Sequence, residues 1–338
     1  MALALGILDQ SPITAGTQPR EAVMQTLALA REAERLGYHR YWLAEHHAMR
    51  GLADPAPEVL LARLTAETSS MRIGTGGVLL PHYSSFKVAE QFRMLEALAP
   101  GRIDLGIGRA PGGSPRVSLA LESRDVRAFA NQVRDVVGHL DRTLAPDHPF
   151  AKLTAMPAGE TLPEVWLLGS SDYGAALAAE LGLPFAFAHF ISGDTEAVTR
   201  TYRRHFRPSA RLREPYVILC VAALAAPTHE EAETLAATID LWRLRIRRGI
   251  DQPVPSLDEA RAYRYSADER DEVVHNRRRL ALGTPGAVRA QIEALVHAHE
   301  ADEAMLLTIA PDYAARLRSY ALLADAFALA PAAALSEA

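Results

Sequence analysis

The stretch AEHHAMRG, residues 44–51, closes an apolar run with an acid and two imidazoles, Glu45, His46 and His47. Those residue types admit three roles: metal ligation, proton transfer, or a polar patch that merely ends a strand. A metal centre needs several His or carboxylate ligands converging from neighbouring segments. No HExxH motif occurs, and the single cysteine, Cys220, can form neither an internal disulfide nor a thiolate zinc cluster. His46 and His47 are adjacent, so on an extended strand they point to opposite sides and cannot share one ion. No metal site is expected. A proton-handling imidazole or a strand-closing patch remains.

Two further stretches suggest an anion. GIGRAPGG (106–113) carries Arg109, a permanently charged fork, among glycines that let a ligand approach the backbone. It is not a dinucleotide fingerprint, because Pro111 stands where the third glycine would be. Ser170 and Ser171 stand just before a predicted helix over 172–182, whose N-terminus favours a phosphate. Each signal alone is also that of an ordinary turn or cap; together, on neighbouring strands, they point to a phosphate site. GTGGVLLP (74–81) places Gly76 and Gly77 inside an apolar strand, where they mark a bulge or the close approach of a flat ligand.

Near-continuous apolar runs that read as buried parallel strands occur at 3–9, 40–45, 72–80, 102–108, 164–169, 185–190, 216–224 and 304–309. Helical stripes lie between them: Val88, Phe92 and Leu95; Val126, Phe129, Val133 and Val137; Val288, Ile292 and Leu295. Gly37 and Gly182 are placed to close helices, and Thr284-Pro285 to open one. Strand then helix, about eight times over, is the pattern of a (β/α)8 TIM barrel. A doubly wound open sheet is the alternative. Residues 1–338 are expected to form one barrel domain. Residues 225–282, too long for a loop, are expected to be a mobile insertion between strand 7 and helix 7 with helices of its own. In such a barrel the strand ends collect the chemistry: Asp9, Gln10 and Ser11; Glu45 to His47; Gly76 and Gly77; Arg109; Ser170 and Ser171; His189. The substrate pocket is expected to draw on the loops after strands 1, 3 and 6 and on 225–282.

The chain is 49% hydrophobic and 23% charged, an ordinary globular composition. A net charge of -5 gives a nucleic-acid partner no support. No apolar run is long enough to span a bilayer, and the N-terminus lacks a basic n-region. A cytoplasmic protein without membrane partners is expected.

GILDQSP, RYWLAEHH, the block running from MRIGTGGVLLPHYSSF to GRIDLGIGRAPG, and EVWLLGSSDYGAALAAELGLP resemble successive blocks of the bacterial-luciferase-like flavin monooxygenases. The likeness runs from about residue 3 to 192 and resumes at LGTPGAVRAQIEAL (282–295). It implies a (β/α)8 barrel that uses reduced FMN and O2 to oxidise a small organic substrate. An F420-dependent oxidoreductase on the same fold, or a flavin-binding protein without turnover, stays open beside it. By motif, His46 matches a histidine acting as acid/base near the flavin, Arg109 an arginine on the FMN phosphate, and Ser171 a phosphate-binding serine. The Ser170–Ser171 peptide would approach the ring, and Gly76-Gly77 matches a non-proline cis peptide beneath it. Arg124 or Arg127 could supply a second phosphate contact. The family also implies a separate NAD(P)H:flavin reductase and a homodimer. Two departures matter: Gly108 replaces a reactive cysteine, and Gly174 a phosphate-binding threonine, so light emission is not expected.

Overall fold

In the strand RYWL the apolar residues alternate between two destinations. Tyr41 and Leu43 pack outward among the helices, whereas Trp42 and the following Ala44 point inward. A strand buried on both faces reads as a continuous apolar run, and the period of two sorts its residues. The computed structural model describes residues 3–193 and 195–330. Its strands are β1 (Ala4–Asp9), β2 (Arg40–Leu43), β3 (Arg72–Leu79), β4 (Ile103–Gly108), β5 (Glu164–Gly169), β6 (Phe185–Ala188), β7 (Val217–Ala225), β8 (Leu280–Gly283) and β9 (Glu303–Leu307). All pair in parallel. The order β6-β5-β4-β3-β2-β1-β9-β7, with β6 also paired to β7, closes an eight-stranded barrel.

The strand pattern needed two corrections. First, β8 straddles the end of the expected insertion, residues 225–282. It pairs with Ala222–Ala225, beyond the half of β7 that pairs with β6, so it extends one wall without joining the ring. Second, the sixth strand stops at Ala188, and His189–Ser192 form a helical turn. His189 therefore stands inside that turn, buried with its ring edge-on to His299 at 5.6 Å.

The helices begin and end where local chemistry predicts. Gly37 and Gly182 adopt the left-handed conformation at φ 87° and 61° and close helices Pro19–Leu36 and Asp172–Leu181. The insertion contributes helices His229–Arg247, Leu257–Ala262 and Ala267–Arg277, each opened by a Ser or Thr side chain accepting a backbone N–H. The longest buries Ala236, Ile239 and Trp242 against Leu52, Val254 and Leu307.

The barrel interior is filled from the N-terminal end. Arg40 donates to Asp104 at 2.7 Å and to Glu303 at 2.8 Å, and the Trp42 indole donates to Asp104 at 2.8 Å. Above them Trp42 and Trp166 meet edge to face at 5.4 Å. This floor leaves the C-terminal ends of the strands as the accessible face of the interior.

Candidate active site

A cavity of about 540 Å³ opens among the C-terminal strand ends, within the size range of small-molecule sites. His46, Gly76, Gly77, Arg109, Ser170 and Ser171 all line it. Its deeper wall is apolar, with Leu8, Ala44, Leu168, Ala186 and Phe190, and includes Cys220. Burial pushes the Cys220 thiol up to about 12, so it stays protonated. Among the described residues, none from 225–282 lines the cavity, contrary to the expectation that this segment would. The segment packs beside the barrel on the Leu52–Val254 side instead.

His46 follows β2 and is fixed by a partner that sequence reasoning missed. Its amide donates to the Asp54 carbonyl at 3.3 Å, and its Nδ1 lies 3.1 Å from Asp54 Oδ2. A carboxylate at Nδ1 favours the tautomer with its proton there and leaves Nε2 without a protein partner among the described residues. Asp54 is fully buried, and its Oδ1 has no hydrogen-bond partner among the described residues. Burial, opposed by His46, pushes its carboxyl up to about 6.

Glu45 and His47 have structural work. The Glu45 carboxylate accepts from the Leu79 amide at 2.9 Å, the Tyr83 hydroxyl at 2.7 Å and His47 Nε2 at 2.8 Å. Glu45 thereby ties the loop after β2 to the loop after β3. His82 extends the tie: its Nδ1 lies 2.6 Å from Ser123 Oγ and its Nε2 3.0 Å from the Pro111 carbonyl oxygen.

The Gly76–Gly77 peptide is cis, and the register with β4 shifts between Gly76 and Val78, so the pair is both a bulge and part of the cavity wall. Packing also requires glycine here. A Cβ on Gly76 would come within 2.7 Å of Leu8, and one on Gly77 within 2.6 Å of the Gly106 carbonyl. At Gly174, which the resemblance matches to a threonine, a Cβ would meet Gly169 Cα at 3.3 Å and Phe185 at 3.4 Å, a tight contact but milder than those at Gly76 and Gly77.

At the rim, Arg109 is exposed, forms no ion pair among the described residues, and lies over the Tyr173 ring at 4.0 Å. Ser171 occupies the N-cap of helix Asp172–Leu181 but makes no capping hydrogen bond. Its exposed hydroxyl, the helix N-terminus and Arg109 together can hold an anion. The Ser170 carbonyl accepts from Ser192 Oγ at 2.6 Å. Arg124 and Arg127 do not line the cavity: the Arg124 amide donates to the Pro81 carbonyl, and the Arg127 side chain pairs with Asp125 in solvent. Val126, between them, does line it. Among the described residues, no group of three or more His, Cys, Asp or Glu could hold a metal ion, and no helix is long and apolar enough to cross a membrane.

The fold is a closed parallel barrel whose cavity gathers an imidazole, an arginine and two serines at the C-terminal strand ends. The family model for luciferase-like monooxygenases matches residues 3–302, and the chain belongs to that family. It is 38% identical to an N-acetyl-S-alkylcysteine monooxygenase of Bacillus subtilis (strain 168), over 96% of this chain and 98% of the relative. The crystal structure of apo-MsnO8 superposes with a TM-score of 0.91 at 40% identity, covering 98% of this chain and 99% of that one. At lower identity the fold is shared by the FMN-bound oxygenating constituent of 3,6-diketocamphane monooxygenase (TM-score 0.69, 20%) and an F420-dependent secondary alcohol dehydrogenase (0.67, 14%).

Proposed function

We propose that this protein is an FMN-dependent monooxygenase that oxidises a small organic substrate with O2. The observation that carries the reading is the convergence of His46, Gly76, Gly77, Arg109, Ser170 and Ser171 on one cavity. The residues suit the cofactor. Arg109 and the uncapped Ser171 hydroxyl would hold its phosphate, and the bare Gly76–Gly77 backbone and the Ser170–Ser171 peptide would receive its flat ring. Reduced FMN, once bound there, would supply the electrons that activate O2. His46, oriented by Asp54, gives or takes a proton at Nε2. The apolar wall excludes water from the reacting centre.

A separate NAD(P)H:flavin reductase would deliver the reduced cofactor. A homodimer is proposed through the neighbouring helices Pro57–Thr65 and Ser85–Leu98, which expose Val59, Met94 and Leu98. Thioethers of the kind named for the Bacillus relative are the first substrates to try. The deciding experiment titrates the protein with FMN and with F420 and then supplies reduced FMN, O2 and a thioether panel. Tight FMN binding with product formation is expected. Selective F420 binding would make the protein an F420 oxidoreductase, and FMN binding that yields only peroxide would make it a flavin binder.

A further inference from the structure

Among the described residues, four arginines lie over an aromatic ring, and three of them have a carboxylate as well. Arg40 lies over Trp42 and Trp166 and pairs with Asp104 and Glu303. Arg289 lies over Phe327 and pairs with Glu293, and Arg316 lies over Tyr320 and pairs with Asp9. In these three an ion pair fixes the guanidinium and the ring adds to it. Arg109 differs. Its guanidinium carbon stands 4.0 Å from the centroid of Tyr173, against 4.8 to 5.9 Å in the other contacts. Its side chain makes no hydrogen bond or ion pair among the described residues, so the ring of Tyr173 is what it rests on.

The place of this contact matters, because Arg109 and Tyr173 both line the cavity. Tyr173 is the second residue of helix Asp172–Leu181, two positions beyond Ser171 at the N-cap. Its ring therefore carries the guanidinium to the helix end where the Ser171 hydroxyl stands. Arg109 arrives from another element, just after β4, and its neighbours Ala110 and Pro111 are exposed as it is. An exposed arginine on such a loop samples many rotamers, and a ligand that needs it must pay to order it. Stacking on the ring removes that freedom before the ligand arrives. The contact uses the flat face of the guanidinium and leaves its N–H groups, which lie in the plane, free for phosphate oxygens. The Tyr173 hydroxyl makes no hydrogen bond among the described residues, so the ring alone supplies the contact.

We propose that Tyr173 is a positioning residue that holds Arg109 ready to receive a phosphate group. The proposal rests on the FMN reading for what carries the phosphate, but not for the phosphate contact itself. Calorimetric titrations of the intact protein with FMN, riboflavin and inorganic phosphate test it, since riboflavin has the same ring system without the phosphate. Tyr173→Leu should weaken FMN and inorganic phosphate about three- to tenfold, the worth of a cation–π contact at a partly exposed site. It should leave riboflavin within twofold of wild type. Tyr173→Phe keeps the ring and should leave all three ligands within twofold. In an Arg109→Gln background, Tyr173→Leu should weaken FMN no further, because the ring acts only through the guanidinium. Tyr173 is 40% exposed, so its replacement should leave the fold intact, and circular dichroism checks this.

A loss for FMN below threefold in Tyr173→Leu, an equal loss for riboflavin, or a further loss in the Arg109→Gln background would overturn the proposal. So would an equal loss in Tyr173→Phe, which would place the effect in the hydroxyl. A wild type that fails to bind FMN, but whose phosphate binding Tyr173→Leu still weakens, would remove the FMN reading alone. A wild type that binds neither FMN nor phosphate would remove both.

Discussion

At the N-terminal end of the barrel, Arg40, Arg72, Trp42 and Tyr216 donate to the buried carboxylates of Asp104 and Glu303. At the C-terminal end, among the described residues, Asp54 keeps a buried oxygen without a partner, Ser171 stands at the N-cap of its helix without a side-chain capping bond, and Arg109 rests on a tyrosine ring. Both ends bury or gather charge on the same scaffold. The difference is whether hydrogen-bonding capacity is used up. A satisfied network stabilises a fold, and an unsatisfied one is held ready for something that arrives later.

That contrast breaks first at His46. His46→Ala should lower turnover with reduced FMN by about 10²–10⁴-fold, the usual worth of general acid–base catalysis, and leave FMN affinity nearly unchanged. Product formation under saturating FMN checks it, and undiminished turnover removes the proton-transfer role. The opposite end should respond in stability. Arg40→Ala leaves the buried Glu303 without its cation and Asp104 with Arg72 alone, and should cost about 3–5 kcal/mol in urea unfolding. A loss below about 1 kcal/mol would show that the floor is not what holds the barrel closed.

How far these two ends could be read in advance differs for a physical reason. The rim residues lie in short local patterns, an imidazole pair after a strand, an arginine among glycines, two serines before a helix, and each pattern carries its own chemistry. Asp54 lies eight residues beyond His46 in a loop without periodicity, and only the fold brings its carboxylate to Nδ1. Arg40, Asp104 and Glu303 come from three strands separated by up to 263 residues, so no local pattern shows their network. β8 was missed because its four residues, LALG, are too few to show a strand pattern and follow the helix Ala267–Arg277 within a charged segment. The resemblance supplied the assignment of Gly76–Gly77, whose cis peptide a reading of spacing alone could not distinguish from an ordinary bulge.

Asp54 sharpens the comparison because its burial has a cost that can be measured. Its carboxyl lies at about 6 in the fold against an ordinary 3.8. A raised carboxyl favours the protonated fold, so the cost of ionising it is absent below pH ~4, grows toward pH ~6 and is complete above that. Asp54→Asn removes the charge and keeps an oxygen for Nδ1–H. Relative to wild type it should gain stability as pH rises through that window, on the order of 1–3 kcal/mol by pH 7. Its turnover should fall roughly tenfold, because a neutral amide stabilises the imidazolium less than a carboxylate does. Denaturation midpoints at pH 4 and pH 7 give the first result. Equal stability differences at both values would show that Asp54 is not held ionised at a cost.

The smallest effect separates two serines of the same type. Ser266 caps helix Ala267–Arg277 in a reciprocal box: its Oγ accepts from the Glu269 amide at 3.2 Å, and Glu269 accepts from the Ser266 amide at 2.6 Å. Ser171 stands at the same position of helix Asp172–Leu181 without such a bond. Ser266→Ala should therefore cost about 1 kcal/mol of stability and leave FMN binding alone. Ser171→Ala should leave stability within about 0.5 kcal/mol and weaken FMN binding about five- to tenfold, the net worth of one ordinary hydrogen bond. Thermal melts and flavin titrations on both variants give four numbers. If Ser171→Ala lowers stability as Ser266→Ala does, its hydroxyl belongs to the helix and not to a ligand, and the contrast between used and unused bonding capacity fails where it is easiest to measure.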